Sequence, residues 1–214
     1  MSKVWLEISM SLDGYVAGPN ATLDEPLGEG GEQLHEWVVG LDAWREAHGL
    51  EGGERTRDSE LMEESLARQG AVIMGRRMYS GGTGPWEDDS NAGGWWGDDP
   101  PFGMPVYVLT SHAREPETMG ATTFTFVRDG IESALAQARE SAGEKDVHIA
   151  GGASVAQQYL AAGHVDAIDL HIAPVLLGGG RRLFEDLGAT PPTLELVRTI
   201  ESPAVTHLRY RVVR

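Results

Sequence analysis

The apolar segments of this chain come in an order that few architectures accept. Strand-like and helix-like segments intermingle as far as Leu160, and beyond it only strand-like segments follow. Val4, Leu6, Ile8 and Met10 fall at period two and predict a strand. Leu34, Trp37, Val38, Leu41 and Trp44 keep helical spacing, with Gly49 just past the end. Residues 58–69 predict a second helix, with Asp58 or Ser59 at its N-cap and Gly70 after it. Residues 71–74, 105–110 and 122–127 predict three more strands, the second apolar on both faces as a central strand requires. Ile131, Leu135 and Ala138 mark a helix that ends near Gly143. Residues 147–150 predict a strand running straight into Gly151-Gly152, and Val155, Tyr159 and Leu160 begin the next helix at once. Ile168, Leu170 and Ile172 share one face of a long strand, and Leu194, Leu196, Leu208, Tyr210 and Val212 predict a hairpin around Ser202-Pro203. Strands joined through helices lie parallel and hairpin strands lie antiparallel. The expectation is an α/β sandwich with a mostly parallel central sheet and an antiparallel C-terminal edge.

Composition narrows the partners. A length of 214 residues with no repeat or linker suits one domain, 1–214. Lys plus Arg total 17 against 33 Asp plus Glu, a formal charge of -16. Such a field repels nucleic acid and anionic membranes, so an anionic ligand needs local cations or backbone N–H donors. No apolar run approaches the roughly 20 residues of a membrane span, and residues 1–10 lack the pattern of a signal peptide. There is no cysteine, which removes disulfides and thiolate chemistry. The expected location is cytoplasmic. The seven histidines show no metal-ligand spacing, and neither GxSxG nor HExxH occurs, so no metal site and no hydrolase is expected.

Four segments carry candidate chemistry. His148 to Ser154 (HIAGGAS) is a strand, two glycines and a helix start, an arrangement whose free N–H groups suit a phosphate. It is also an ordinary tight turn, and it lacks the GxGxxG pattern of a standard dinucleotide fold. Ala71 to Gly81 (AVIMGRRMYSG) places Arg76 and Arg77 after a strand and Gly75. They are either phosphate ligands or a solvated surface pair. Leu109 to His112 puts hydroxyls at the end of the central strand. Ser9 to Gly18 (SMSLDGYVAG) is a turn followed by small apolar residues that can lie against a flat ring. Residues 80–104, rich in Gly with Trp86, Trp95 and Trp96, predict a long surface loop. Its indoles are a stacking platform, a lid, packing under the loop or a dimer contact.

In this order, SLDGYVAG, VIMGRRMY, VYVLTS, IAGGASVAQQYL and IAPVLLGGGRRLF resemble the dihydrofolate reductase-like superfamily, nearest to its riboflavin-biosynthesis reductase branch. The resemblance covers nearly the whole chain apart from much of 19–57 and 80–104. It implies a dihydrofolate reductase-like three-layer sandwich, NADPH as cofactor and hydride transfer to a small pterin- or pyrimidine-like heterocycle. Gly151, Gly152, Ala153, Ser154, Val155 and Ala156 would hold the pyrophosphate. Gly75, Arg76, Arg77 and Met78 would contribute at the next helix start, with Arg76 or Arg77 on the 2′-phosphate. Thr110 and Ser111 would sit near the adenosine phosphate, and Ser9, Met10, Val16 and Ala17 would face the nicotinamide. The resemblance also implies a homodimer and a substrate cleft between the 11–18 loop, the 58–69 helix and the tryptophan-rich loop. Asp58 is the candidate for the carboxylate that true dihydrofolate reductases carry on the helix before VIMGR. A dipole-favoured carboxylate at a helix start is the alternative. The proline-tryptophan signature of those enzymes is missing, and a degenerate nucleotide-binding protein of the same fold is the second reading.

Overall fold

The computed structural model describes residues 2–213. Strand β1 (Val4–Ser11) leads into a short β2 (Tyr15–Ala17), a 3-10 turn (Gly31–His35), α1 (Glu36–Val39), α2 (Asp42–Ala47) and α3 (Arg57–Arg68). Next come β3 (Gln69–Gly75), α4 (Arg76–Ser80), β4 (Pro105–Leu109), β5 (Glu117–Met119), β6 (Thr122–Val127) and α5 (Gly130–Ala142). The chain continues through β7 (Asp146–Gly151), α6 (Ala153–Ala161), β8 (Ala167–Ala173), β9 (Arg181–Arg182), β10 (Thr193–Glu201) and β11 (Thr206–Val213).

Nine strands form one sheet in the order β10-β11-β8-β1-β7-β3-β4-β6-β5, and β2 pairs with β9 in a separate ribbon. The neighbours from β8 to β6 run parallel, while β11 and β10 add an antiparallel edge. This is the expected sheet, with one addition. The short β5 folds back on β6, so the opposite edge is antiparallel too.

Two local expectations give way. One helix over residues 34–44 is replaced by three short pieces. Gly40 and Asp42 instead exchange backbone hydrogen bonds with Glu54 at 2.9 and 3.1 Å, which ends the run at Leu41. Helix α3 is capped by Thr56, not by Asp58 or Ser59. The Thr56 hydroxyl accepts from both of their N–H groups, and Ser59 Oγ accepts from Thr56 N–H, a reciprocal capping box.

Helices α5 and α6 cover one face of the sheet. There Leu6, Ile73, Ile149 and Tyr159 are fully buried. The other face has two halves. Over β3, β4 and β6 it is apolar, with Val72, Met74, Val108 and Phe124 packed against Tyr79 of α4. Under α3 it is polar, because the parallel register pairs Glu7 with Asp169 and Ser9 with His171. The antiparallel register then pairs these β8 residues with Arg209 and His207. Arg68 of α3 reaches Glu7 at 3.0 Å and Asp169 at 2.9 Å, and Arg209 binds Asp169 at 2.8 Å. Both guanidinium groups lie over the Trp5 ring.

These pairs have a pH consequence. Burial alone would raise Glu7, but the His171 hydrogen bond and nearby His148, His171 and Arg68 charges hold it well below the usual carboxylate range. Burial likewise opposes ionisation of Glu64, and its bonds to Arg198 and Arg209 outweigh that. A lowered folded-state pKa stabilises the fold above the unfolded value, here 4.5, and that stabilisation drains away as pH falls. The urea midpoint is therefore expected to drop steeply between about pH 5 and pH 3. An unchanged midpoint over that interval would contradict this account.

Candidate active site

A cleft of about 690 Å³ opens at the carboxyl ends of β1, β3, β4 and β7. Its place follows from the topology. A strand that feeds a helix through a short turn leaves backbone N–H groups at the sheet's end, where ligands reach them. Of the sixteen expected cofactor residues, all but Met10, Gly151 and Ala156 line this cleft. Met10 and Ala156 are instead buried in the core. Gly151 sits at φ +120 under the Ile8 side chain, and the Gly151–Gly152 peptide is cis. A Cβ at Gly152 would meet nothing within 4 Å, so the cleft approaches bare backbone there. Helix α6 starts next, and its first N–H groups face the same end.

The two neighbouring arginines have different situations. Arg76 is buried, its guanidinium 2.5 Å from the Asp89 carboxylate and 3.5 Å from the Trp86 ring centre. Asp89 is held in turn by Ser80 Oγ at 2.8 Å. Arg77 projects from the same helix start and has no ion-pair partner among the described residues. Burial and the charge of Arg181 push its pKa down, so two cations converge on one wall. Both line the cleft, as do Arg128 and Arg182. On an acidic chain this is the local positive charge that an anionic ligand requires.

The ribbon β2–β9 closes one side. Asp13 accepts hydrogen bonds from Leu177 and Gly178 N–H at 3.1 and 2.7 Å, which ties the 11–18 loop to the 174–182 segment. Arg182 stacks on Tyr15 and donates to the Asp13 carbonyl. Arg181, its neighbour, lines the cleft beside it.

One family model spans residues 2–208, and it describes the RibD C-terminal domain. The chain belongs to the RibD C-terminal domain family. Its fold matches a putative riboflavin biosynthesis protein from Shewanella sp. PV-4, with TM-score 0.66, 20% identity and 99% of each chain covered. It also matches a diaminohydroxyphosphoribosylaminopyrimidine deaminase/5-amino-6-(5-phosphoribosylamino)uracil reductase from Thermotoga maritima, with TM-score 0.60 and 17% identity. There the match covers 99% of this chain and 57% of the other. A dihydrofolate reductase from Enterococcus faecalis complexed with NADP(H) matches with TM-score 0.50 and 14% identity, covering 98% of this chain and 96% of that one. These likenesses show the dihydrofolate reductase-like fold. No curated protein matches.

Within this RibD C-terminal domain, the structure separates several expectations that sequence left together. Asp58 is buried and lines no part of the cleft. It accepts from Ser202 Oγ at 2.7 Å and pairs with His207 Nε2 at 3.0 Å. No residue of α3 lines the cleft, so the helix expected as a wall faces the C-terminal hairpin instead. The tryptophans divide. Trp86 donates to the His112 carbonyl and packs on Phe126, and Trp96 donates to the Tyr79 carbonyl and packs on Phe102. Trp95 alone of the three lines the cleft. Sequence reasoning passed over Arg128, Gln157, Arg181 and His35, which also line it. Arg181 and Arg182 belong to the GGGRR stretch, and their charge alone does not place them on the cleft. Among the described residues, no cluster of three or more His, Asp or Glu could hold a metal ion, and no helix is long and apolar enough to cross a membrane.

Proposed function

We propose that this protein is an NADPH-dependent reductase of a small pyrimidine- or pterin-like heterocycle. The observation that carries the reading is the convergence in one cleft of bare backbone at Gly152, the start of α6, and the arginines Arg77, Arg128 and Arg181. These groups fit a dinucleotide with a third phosphate. Gly152, Ala153 and Ser154 would hold the pyrophosphate through N–H donors, and Arg77 a phosphate through its fork. Of the cleft-lining residues, Thr110, Ser111 and Arg128 would face the adenosine, and Ser9, Val16 and Ala17 the nicotinamide, with Trp95 and His35 beside the substrate. Bound NADPH supplies a hydride. The chain's part is to fix the two rings face to face and to exclude water.

A titration with NADPH and NADH tests this reading, and tight binding with preference for NADPH is the expected result. The two arginines are expected to differ. Arg77→Ala should fold normally and lose about tenfold or more in NADPH affinity, the worth of one charge-assisted contact. Arg76→Ala should cost about 3 kcal/mol of stability, because it leaves the Asp89 carboxylate buried without its cation. Equal melting temperatures for the two variants would contradict the assignment.

A second reading is a nucleotide-binding protein without turnover. It is favoured by Asp58, which faces the hairpin and not the cleft. NADPH binding without oxidation, across a panel of ribosylaminopyrimidines and dihydropterins, would select it. We infer a cytoplasmic homodimer joined at the β10 edge, where Leu194, Leu196 and Val197 are exposed. Sedimentation of wild type against Leu196→Lys checks the dimer.

A further inference from the structure

The polar face under α3 holds a chain of four titratable groups that the cleft does not use directly. Asp58 Oδ1 lies 3.0 Å from His207 Nε2, His207 Nδ1 lies 2.8 Å from His171 Nδ1, and His171 Nε2 lies 3.3 Å from Glu7 Oε1. Protons can be counted along it. An ionised carboxylate only accepts, so both Nε2 atoms must carry hydrogen. The central contact needs one more hydrogen, because two bare Nδ1 atoms repel and so do two N–H groups. Three protons on four ring nitrogens is one neutral imidazole and one imidazolium.

Charge balance leads independently to the same count. The groups facing the pair are Glu7 from β1, Asp58 and Arg68 from α3, Asp169 from β8 and Arg209 from β11. Glu64 and Arg198 add one charge of each sign at the rim. Four carboxylates against three guanidinium groups leaves one negative charge, which one shared proton cancels. His35 and His148 also face this region. Burial lowers the pKa of both. Burial and the His171 charge lower His207 as well, which resists a second proton on the pair.

The pair stands between the cleft and solvent. On the cleft side, Trp37 covers both rings at 4.9 and 5.1 Å and donates to Ser9 Oγ, and Ser9 lines the cleft. On the other side is a small cavity of about 20 Å³, touched by His171, His207 and the partly exposed Arg198. That is room for about one water.

We propose that His171 and His207 hold one shared proton at neutral pH and that this pair is the proton store for the reduction. The proposal rests on the reductase reading above. In the step, the hydride of NADPH adds to the electrophilic carbon of a C=N or C=O bond, in the ring of a dihydropterin or in the open-chain imine of a ribosylaminopyrimidine. The π pair moves to the heteroatom, which takes a proton from a water in the cleft beside Ser9, and the imidazolium returns a proton to that water. NADP⁺ and the reduced product leave, and the now neutral pair regains a proton from water through the small cavity. His171 and His207 touch neither ring, so they are positioning and proton-storage residues.

The test begins with ring-nitrogen NMR of the ¹⁵N-histidine-labelled full chain, without ligand. Three ring protons on the pair near pH 7, one of them shared and far downfield, is the expected result. Two neutral rings would overturn the proposal. His171→Gln and His207→Gln keep hydrogen-bonding groups but hold no extra proton. With 5-amino-6-(5-phosphoribosylamino)uracil or a 7,8-dihydropterin as probe, kcat should fall at least about tenfold while NADPH affinity stays at the wild-type value. Wild type should lose rate at high pH, and the Gln variants should not. An unchanged kcat and pH profile overturns the proposal, as does a wild type that binds NADPH and reduces neither probe. If a Gln variant unfolds, the wild-type proton count still decides the charge. Failure of wild type to bind NADPH removes the cofactor reading itself, whatever the ring protons show.

Discussion

Gly152→Val is expected to lose at least about a hundredfold in NADPH affinity, roughly 2.7 kcal/mol, while the chain keeps its fold. The effect is large because the pyrophosphate would be held by backbone, and a branched side chain there stands between the donors and the anion. The fold survives for two reasons. Gly152 has φ -70, which any residue adopts, and a Cβ there meets nothing within 4 Å. Circular dichroism and a thermal scan separate the two effects. A variant that folds and binds NADPH as tightly as wild type would remove Gly152 from the phosphate site.

Gly180→Val should act in the opposite way, through the fold. Gly180 has φ +116, and a Cβ would stand 2.1 Å from the Ala17 carbonyl oxygen. The side chain would push β9 off β2 and open the wall that carries Arg181. Strain and overpacking together should cost about 3 kcal/mol, which for a chain of this size lowers Tm by about 6–12 °C. NADPH affinity should fall with it. Gly178→Ala is the control, since Gly178 also has positive φ but open space around it. It should cost only about 1 kcal/mol. Similar melting temperatures for Gly180→Val and Gly178→Ala would show that the ribbon does not depend on this contact.

Arg76 and Arg77 are adjacent and equivalent as letters. Nothing local says that Asp89, thirteen positions on, closes over one of them while Trp86 stacks on its face. The signal for Asp89 was buried in a loop whose path no periodicity specifies. Asp58 makes the same point. Its place at the start of α3 was legible, but its partners Ser202 and His207 lie across a hairpin, and only the pairing of β11 with β8 brings them there.

What the sequence determined by itself is everything set by near neighbours. Period-two and helical spacing gave most of the strands and helices. The glycine turn at 151–152 placed the cleft's backbone donors, and the ordered motifs gave the family. These signals are local because turn geometry and side-chain periodicity depend on residues a few positions apart. The tertiary structure alone decided which arginine stays free, which tryptophan meets the cleft, and that His171 and His207 meet ring to ring. Those outcomes depend on strand register and on the packing of long loops. A shift of one residue in register would turn His207 to the opposite face and dissolve the pair.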